Sequence, residues 1–218
     1  MNPTPAYRAV LFDLDGTLTD PYIGIARSVE YALERLGRPL PDEQFMRSVI
    51  GPPLRDSFVS LLGEKDADAA VRIYRERYLT IGLYENTVFP GIPELLADLH
   101  AAGCRLFVAT SKLIDPTHVI LEHFALAQYF EAVSGATLDG RIAHKADVIA
   151  ALLPAVGADL TGAVMVGDTP YDVLGARRHG LPCIAVSYGF GEMRDLHAAE
   201  PLAHAATVEE LRGRLFTE

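Results

Sequence analysis

Lysine is scarce in this 218-residue chain: Lys65, Lys112 and Lys145 are all it has, and arginine supplies the rest of its 19 basic side chains. Against 29 acids, that leaves a formal charge of −10. Such a surplus argues against a nucleic-acid backbone as partner, and it repels an anionic small molecule at long range. An anionic ligand would need local positive charge to hold it, so the place of each lysine carries information. Cysteine is equally sparse. Cys104 and Cys183 each head an apolar run and read as small core residues in a reducing cytosol, not as a disulfide. Long hydrophobic runs are missing too. Leu106–Ala109 and Ala163–Val166 are far too short to cross a bilayer. The opening MNPTPAYRAV has no basic stretch followed by an apolar one, so no signal peptide is expected. The expectation is a cytoplasmic protein with no membrane partner; oligomeric state stays open, with a monomer favoured. There are no repeats and no low-complexity segments.

What is present is a hydrophobic fraction of 50%, ample for one large domain or one domain carrying an insert. A first strand is predicted over Ala9–Asp13. Asp20-Pro21 then signals a helix start, with an N-cap carboxylate and proline at the first helical position. Ile25, Val29, Ala32, Leu33 and Leu36 follow at helical spacing, and Gly37 closes the helix. A second helix is expected around Pro41–Val49 and a third after Gly51-Pro52-Pro53. A fourth has Val71, Tyr74, Tyr78 and Ile81 on its apolar stripe and Arg72, Arg75, Glu76 and Arg77 toward water. Residues 18–85 thus read as purely helical.

From Phe89-Pro90-Gly91 onward the rhythm changes. Helices at Pro93–Ala102, Pro116–Phe124, from Lys145 and at Pro170–His179 alternate with short apolar strands at Arg105–Ala109, near Ala132-Val133, and at Ala163–Val166 and Cys183–Val186. Apolar strands alternating with helices indicate a parallel sheet covered on both faces. The predicted fold is α/β, a doubly wound parallel sheet with an inserted all-helical cap. The core is assigned to residues 1–17 and 88–218 and the cap to 18–87.

In open α/β sheets, ligands bind beyond the carboxyl ends of the strands. The first strand runs into Asp13-Leu14-Asp15-Gly16-Thr17, a later one into Thr110-Ser111-Lys112, and another into Gly167-Asp168-Thr169-Pro170-Tyr171-Asp172, while Lys145 opens a helix. Buried strands rarely end in paired acids, because an uncompensated charge beside a core costs several kcal/mol or shifts its pKa. Carboxylates crowded on one rim call for a shared cation, and hard oxygen ligands suit Mg²⁺. Asp13 and Asp168 are the side chains assigned to it. Positive charge for a phosphate falls to Lys145 and the metal. Backbone N–H groups at Gly16 in the Asp-Gly turn and at Ser111 after Thr110 add donors. Thr169 and Asp172 have capping-box spacing, with Pro170 at the first helical position.

These stretches, Asp13-Leu14-Asp15-Gly16-Thr17, Thr110, Lys145 and Gly167–Asp172, resemble in order and spacing the four motifs of the haloacid dehalogenase superfamily. The resemblance covers nearly the whole chain. Among its branches the chain looks like the phosphoglycolate phosphatase group, and Val49-Ile50-Gly51-Pro52-Pro53-Leu54 looks like the bacterial 5′-nucleotidase-like members of that group. The resemblance implies a Mg²⁺-dependent phosphomonoesterase for a small metabolite, a nucleoside 5′-monophosphate or a phosphoglycolate-like compound. Asp13 is the implied nucleophile that becomes an aspartyl phosphate. Asp15 is the implied general acid and base, with its backbone carbonyl on the metal. Thr110 is implied to bond the phosphoryl group, Lys145 to neutralise it, Asp168 to hold the ion and Asp172 to support it from behind. Dehalogenases of the superfamily lack the second acid of the first motif, so Asp15 points to phosphoryl chemistry.

Several positions keep more than one reading. Ala146 follows Lys145 where family members carry proline, which leaves Lys112 as a rival for its role. His118 and His123 read as surface positions on one helix, and His144 as a solvated neighbour of Lys145. Arg55, just past the Gly-Pro-Pro-Leu turn, reads either as a surface residue or as a substrate contact. A phosphosugar mutase shares the motifs and the helical cap, and tends to carry an arginine near the cap loop. A receiver-type phosphoacceptor module also gathers acids, a hydroxyl and a lysine around Mg²⁺, but is much shorter and has no helical insertion.

Overall fold

The computed structural model describes residues 4–217, so the first three residues of the N-terminal stretch read above, and Glu218, lie outside the described residues. Six strands form a wholly parallel sheet: β1 (Ala9–Phe12), β2 (Arg105–Leu113), β3 (Ala132–Ala136), β4 (Ala163–Gly167), β5 (Cys183–Val186) and β6 (Ala203–Ala205). Their spatial order is β3-β2-β1-β4-β5-β6, so the order reverses at β1, the switch point where such sheets bind ligands. Alternate residues of each strand face opposite ways. Val10, Phe12, Leu106, Val108, Val164 and Val166 pack into one core with α5 (Ile92–Ala101). Leu11, Phe107, Ala109 and Met165 face the other, under α7 (Lys145–Val156) and α8 (Pro170–Arg177). Cys104 and Cys183 are buried and free.

Between β1 and α5 the chain builds four helices: α1 (Tyr22–Arg35), α2 (Glu43–Ser48), α3 (Leu54–Leu62) and α4 (Glu64–Tyr78). Helix α4 packs against α1 and α3. The segment is not purely helical. Its two ends pair as an antiparallel ribbon, Thr19 with Val88 and Asp20 with Thr87. Helix α1 starts at Tyr22 and not at Pro21, with the Asp20 carboxylate accepting from the Tyr22 N–H at 3.0 Å. The apolar stripe of α4 holds Val71, Tyr74 and Tyr78, but Ile81 lies past the helix end and is exposed. Arg77 does not face water: its guanidinium is half-buried and paired with Glu85 at 2.7 Å. Arg75 is half-buried as well.

Two boundaries moved for one reason. β2 runs on through Thr110 and Lys112 to Leu113, with an irregularity against β3 between Ala109 and Leu113. The next helix, α6 (Ile114–His123), therefore opens at Ile114 and not at Pro116. Such irregularities re-aim side chains next to binding sites. Helices α9 (Met193–Ala198) and α10 (Val208–Leu215) follow, and beyond them Phe216–Thr217 pairs antiparallel with Thr4–Pro5. No helix among the described residues is long and apolar enough to cross a membrane.

Candidate active site

Register builds the site. Phe12 stands level with Val108 on one neighbouring strand and with Val166 on the other, so Asp13, Thr110 and Asp168 emerge together at one end of the sheet. Asp13, Asp15, Thr110, Lys145, Asp168 and Asp172 are all buried. Lys145, the first residue of α7, sends its ammonium back across the sheet. It donates to the Ala109 carbonyl at 2.9 Å and pairs with Asp13 Oδ1 at 2.8 Å and Asp172 Oδ1 at 2.7 Å. Burial pulls that ammonium's pKa down, but the two carboxylates outweigh it and the net shift is upward. Lys145 is thus the lysine that pairs with Asp13.

Lys112 has its own place. The re-aimed end of β2 lays its ammonium on Asp15 Oδ2, and Nζ sits 4.9 Å from the centre of the Tyr78 ring on α4. It is a second site lysine and not a substitute for the first. Its position directly after Thr110-Ser111 was the signal for it. Asp15 Oδ1 is buried without a partner.

Each aspartate is differently committed. Asp13 Oδ1 accepts from the Leu14 N–H at 2.8 Å and pairs with Lys145, which leaves Oδ2 open. Asp172 completes the capping box, Oδ2 accepting from the Thr169 N–H at 3.0 Å and its hydroxyl at 2.7 Å, while Oδ1 meets Lys145. Asp168 Oδ2 accepts from the Phe190 N–H at 2.8 Å, and Oδ1 has only the Thr17 hydroxyl at 3.3 Å. Gly16 and Gly189 back onto this carboxylate. A Cβ at either would lie 2.2 or 2.4 Å from Asp168 Oδ2, and Gly16 also has φ +86°, where glycine alone is unstrained.

Burial, first of all, drives the Asp13 pKa up to about 6. Lys145 opposes the shift, and the charges of Asp172 and Asp15 add to it. Burial also pushes Asp168 well above its ordinary value, helped by Asp172 and Asp13. Four buried aspartates face two ammonium groups; fully ionised, they would leave a surplus of two negative charges. Asp13, Asp168 and Asp172 each offer an oxygen within 4.8 Å of the others. Asp13 Oδ2 and Asp168 Oδ1 are the least committed of these. An all-oxygen donor set with that surplus fits a hard divalent cation.

Above the aspartates lies a cavity of about 640 Å³, roofed by α4 and by the Gly51-Pro52-Pro53 loop. A Cβ at Gly51 would lie 2.7 Å from Thr169 Cγ2, so this loop rests on Thr169, the residue after Asp168. Ser111 and the exposed His144 also line the cavity. Arg55 lines it too, but its guanidinium is tied to Glu64 at 2.7 Å and Asp68 at 2.8 Å. His118 and His123 are exposed on α6. Phe190, Arg75 and Tyr78 carried no site signal in the sequence, because only the folded chain brings them here.

Known proteins resemble this chain along most of its length. A 5′-nucleotidase from Pseudomonas aeruginosa is 47% identical over 208 residues, covering 94% of each chain. Tyrosine-protein kinase PtkA from Mycobacterium tuberculosis is 41% identical over 217 residues, 98% of this chain and 74% of that one. The crystal structure of a predicted phosphatase from Clostridium acetobutylicum superposes with a TM-score of 0.91 at 41% identity, over 95% of this chain and 97% of the other. The haloacid dehalogenase-like hydrolase pattern spans residues 10–186, from the middle of β1 to the last residue of β5, and the chain belongs to that family.

Proposed function

We propose that this chain is a Mg²⁺-dependent phosphomonoester hydrolase that works through an aspartyl phosphate on Asp13. The observation that carries the reading is Asp13 itself. One of its oxygens is fixed by the Leu14 N–H and Lys145, and the other is open at the floor of a cavity with Asp15 two residues away. Asp13 Oδ2 forms the bond to phosphorus as the bond to the leaving oxygen breaks, and Asp15 gives that oxygen a proton. Water then attacks the phosphorus, Asp15 takes its proton, and inorganic phosphate leaves with the Asp13 carboxylate restored. Lys145 holds Oδ1 and offsets the charge that gathers there. The Thr110 oxygen accepts from the Lys112 N–H at 3.2 Å, so its own hydrogen is available to a phosphoryl oxygen, with the Ser111 N–H beside it; the Gly16 N–H, expected from the sequence as a second donor, is instead spent on the Thr19 carbonyl at 2.7 Å. Asp13, Asp168 and the Asp15 carbonyl would hold Mg²⁺, with Asp172 buttressing Lys145 behind them. When bound, the ion would offset the negative charge of Asp13 and Asp168 and polarise the phosphoryl group.

Residues 18–87 are read as a lid on a core of 1–17 and 88–218, with the ribbon of Thr19-Asp20 and Thr87-Val88 as its hinge. A lid seated over the cavity excludes water from the reaction. A cavity of about 640 Å³ is far larger than a two-carbon leaving group needs and falls in the range of sites for larger small molecules. A nucleoside 5′-monophosphate is therefore favoured over phosphoglycolate, in line with the name of the Pseudomonas relative. We place the enzyme in the cytoplasm, where two buried free thiols persist.

The test is phosphate release from a panel of phosphomonoesters with and without Mg²⁺, using the parent chain and Asp13→Asn. The variant should keep its circular dichroism spectrum and lose turnover. Parent-like turnover by the variant overturns the assignment. The 41% identity to PtkA raises a second reading, transfer of a nucleotide's phosphoryl group to tyrosine. Phosphotyrosine formed on a peptide in place of released phosphate would favour it.

A further inference from the structure

The chemistry at Asp13 leaves the roof of the cavity unexplained. Helix α4 lines it with Arg72, Arg75 and Tyr78, residues three apart that share one helix face. Burial deepens along this stripe: Arg72 is exposed, Arg75 half-buried and Tyr78 4% exposed. The Tyr78 hydroxyl and Arg75 Nε are both buried without a hydrogen-bond partner, a state folded proteins avoid unless a ligand or water completes it. Arg55 and Arg77 are consumed by Glu64, Asp68 and Glu85. Among the described residues neither Arg72 nor Arg75 has an acidic partner. The stripe also has a direction. Tyr78 lies against Lys112, which rests on Asp15, so it stands next to the group that protonates the leaving oxygen. Arg75 is one turn farther toward the mouth, and Tyr74, stacked on Tyr78 with ring centres 5.2 Å apart, adds aromatic wall.

We infer that the Tyr78–Arg75 stripe is the leaving-group subsite and that it takes the nucleoside of a nucleoside 5′-monophosphate. Tyr78 meets a sugar hydroxyl near the ester, and the Arg75 guanidinium donates to carbonyl or ring-nitrogen acceptors of the base. A phenol and a guanidinium at successive turns match a leaving group with polar atoms along its length, and a two-carbon acid has no such second point. This inference rests on the phosphomonoesterase reading and specifies its substrate.

The experiment compares kcat/KM for uridine and adenosine 5′-monophosphates with that for p-nitrophenyl phosphate, which has no sugar and no base. Tyr78→Phe and Arg75→Gln should each lower the nucleotide-to-aryl ratio about 10–100-fold, since each removes a buried hydrogen bond to the leaving group. Arg75→Lys should recover part of the loss. A ratio unchanged within about twofold overturns the subsite. A second measurement is independent of turnover: calorimetric titration of the nucleotides into Asp13→Asn, with and without Arg75→Gln. Binding weakened about tenfold or more by Arg75→Gln supports the subsite, and equal binding, or none to Asp13→Asn, overturns it. If the parent releases phosphate from none of these esters, the hydrolase reading fails while the titration still decides the subsite.

Discussion

Metal binding and protons should compete at Asp13. Burial raises that carboxyl to about 6, and Mg²⁺ needs the carboxylate. At pH 7 about nine-tenths of Asp13 is ionised and at pH 5 about one-tenth, so proton competition alone weakens the apparent affinity about tenfold, or ~1.4 kcal/mol. Asp168 is raised as well and acts in the same direction, so tenfold is a lower bound. The linkage in the metal-free fold has the opposite sense. A carboxyl whose folded pKa lies above its unfolded value binds more protons when folded. Stability is therefore lost as pH rises from 3.8 to about 6, by ~3 kcal/mol for Asp13. Mg²⁺ should restore that loss at pH 7 and give little at pH 5. Calorimetric titration with Mg²⁺ at pH 5, 6 and 7, in two buffers of different ionisation enthalpy, measures both the affinity and the protons released. An affinity that is constant within about twofold, or tighter at pH 5, would refute the placement of the ion on a buried, proton-competent Asp13.

Lys145→Ala leaves Asp13 and Asp172 buried without their shared cation, so urea unfolding of the metal-free protein at pH 7 should show a loss of about 3–5 kcal/mol; a loss under about 1 kcal/mol would mean the lysine does not compensate them. Phe190→Ala keeps the backbone donor to Asp168 but removes the ring that stacks on Tyr22 and lies under Arg47. Apparent Mg²⁺ affinity should fall by about 2–30-fold, the span of 0.5–2 kcal/mol of coupling, and an unchanged titration would separate that ring from the metal site.

How far the sequence carried depends on how local each signal was. Val10, Phe12, Val164 and Val166 form strands because short apolar runs bounded by turns allow little else. The Thr169–Asp172 box is complete within four residues and stands as read. Lys112 was harder, since its direction depends on the irregularity between β2 and β3, which pairing creates and local propensity does not encode. Arg77 read as a solvent residue from its place on the helical wheel, yet Glu85 from the following turn draws it inward. The edge strand Ala203–Ala205 went unread because three residues carry no periodicity, and only its parallel pairing with β5 defines it. Tyr78 was legible as core and not as cavity wall. A buried stripe looks the same whether it meets a neighbouring helix or an open space.

One loop ties the parts together. Tyr188 donates to the Thr17 carbonyl at 3.0 Å and packs edge-on against Phe89 with ring centres 4.9 Å apart, so it touches both chain crossings into the helical segment. Two residues on, the Phe190 N–H fixes Asp168. The Phe190 ring lies 6.4 Å from Tyr22 of α1 and 5.1 Å from the Arg47 guanidinium of α2. A cation over an aromatic face contributes about 0.5–1 kcal/mol where exposed, too little to hold a lid alone. It is enough to bias one that opens at small cost. The donor that orients Asp168 and the ring gripped by α1 and α2 belong to one residue, so displacing those helices disturbs the carboxylate most needed by a cation. If residues 18–87 act as the proposed lid, seating α1 and α2 on the Phe190 ring would steady the loop whose N–H orients Asp168.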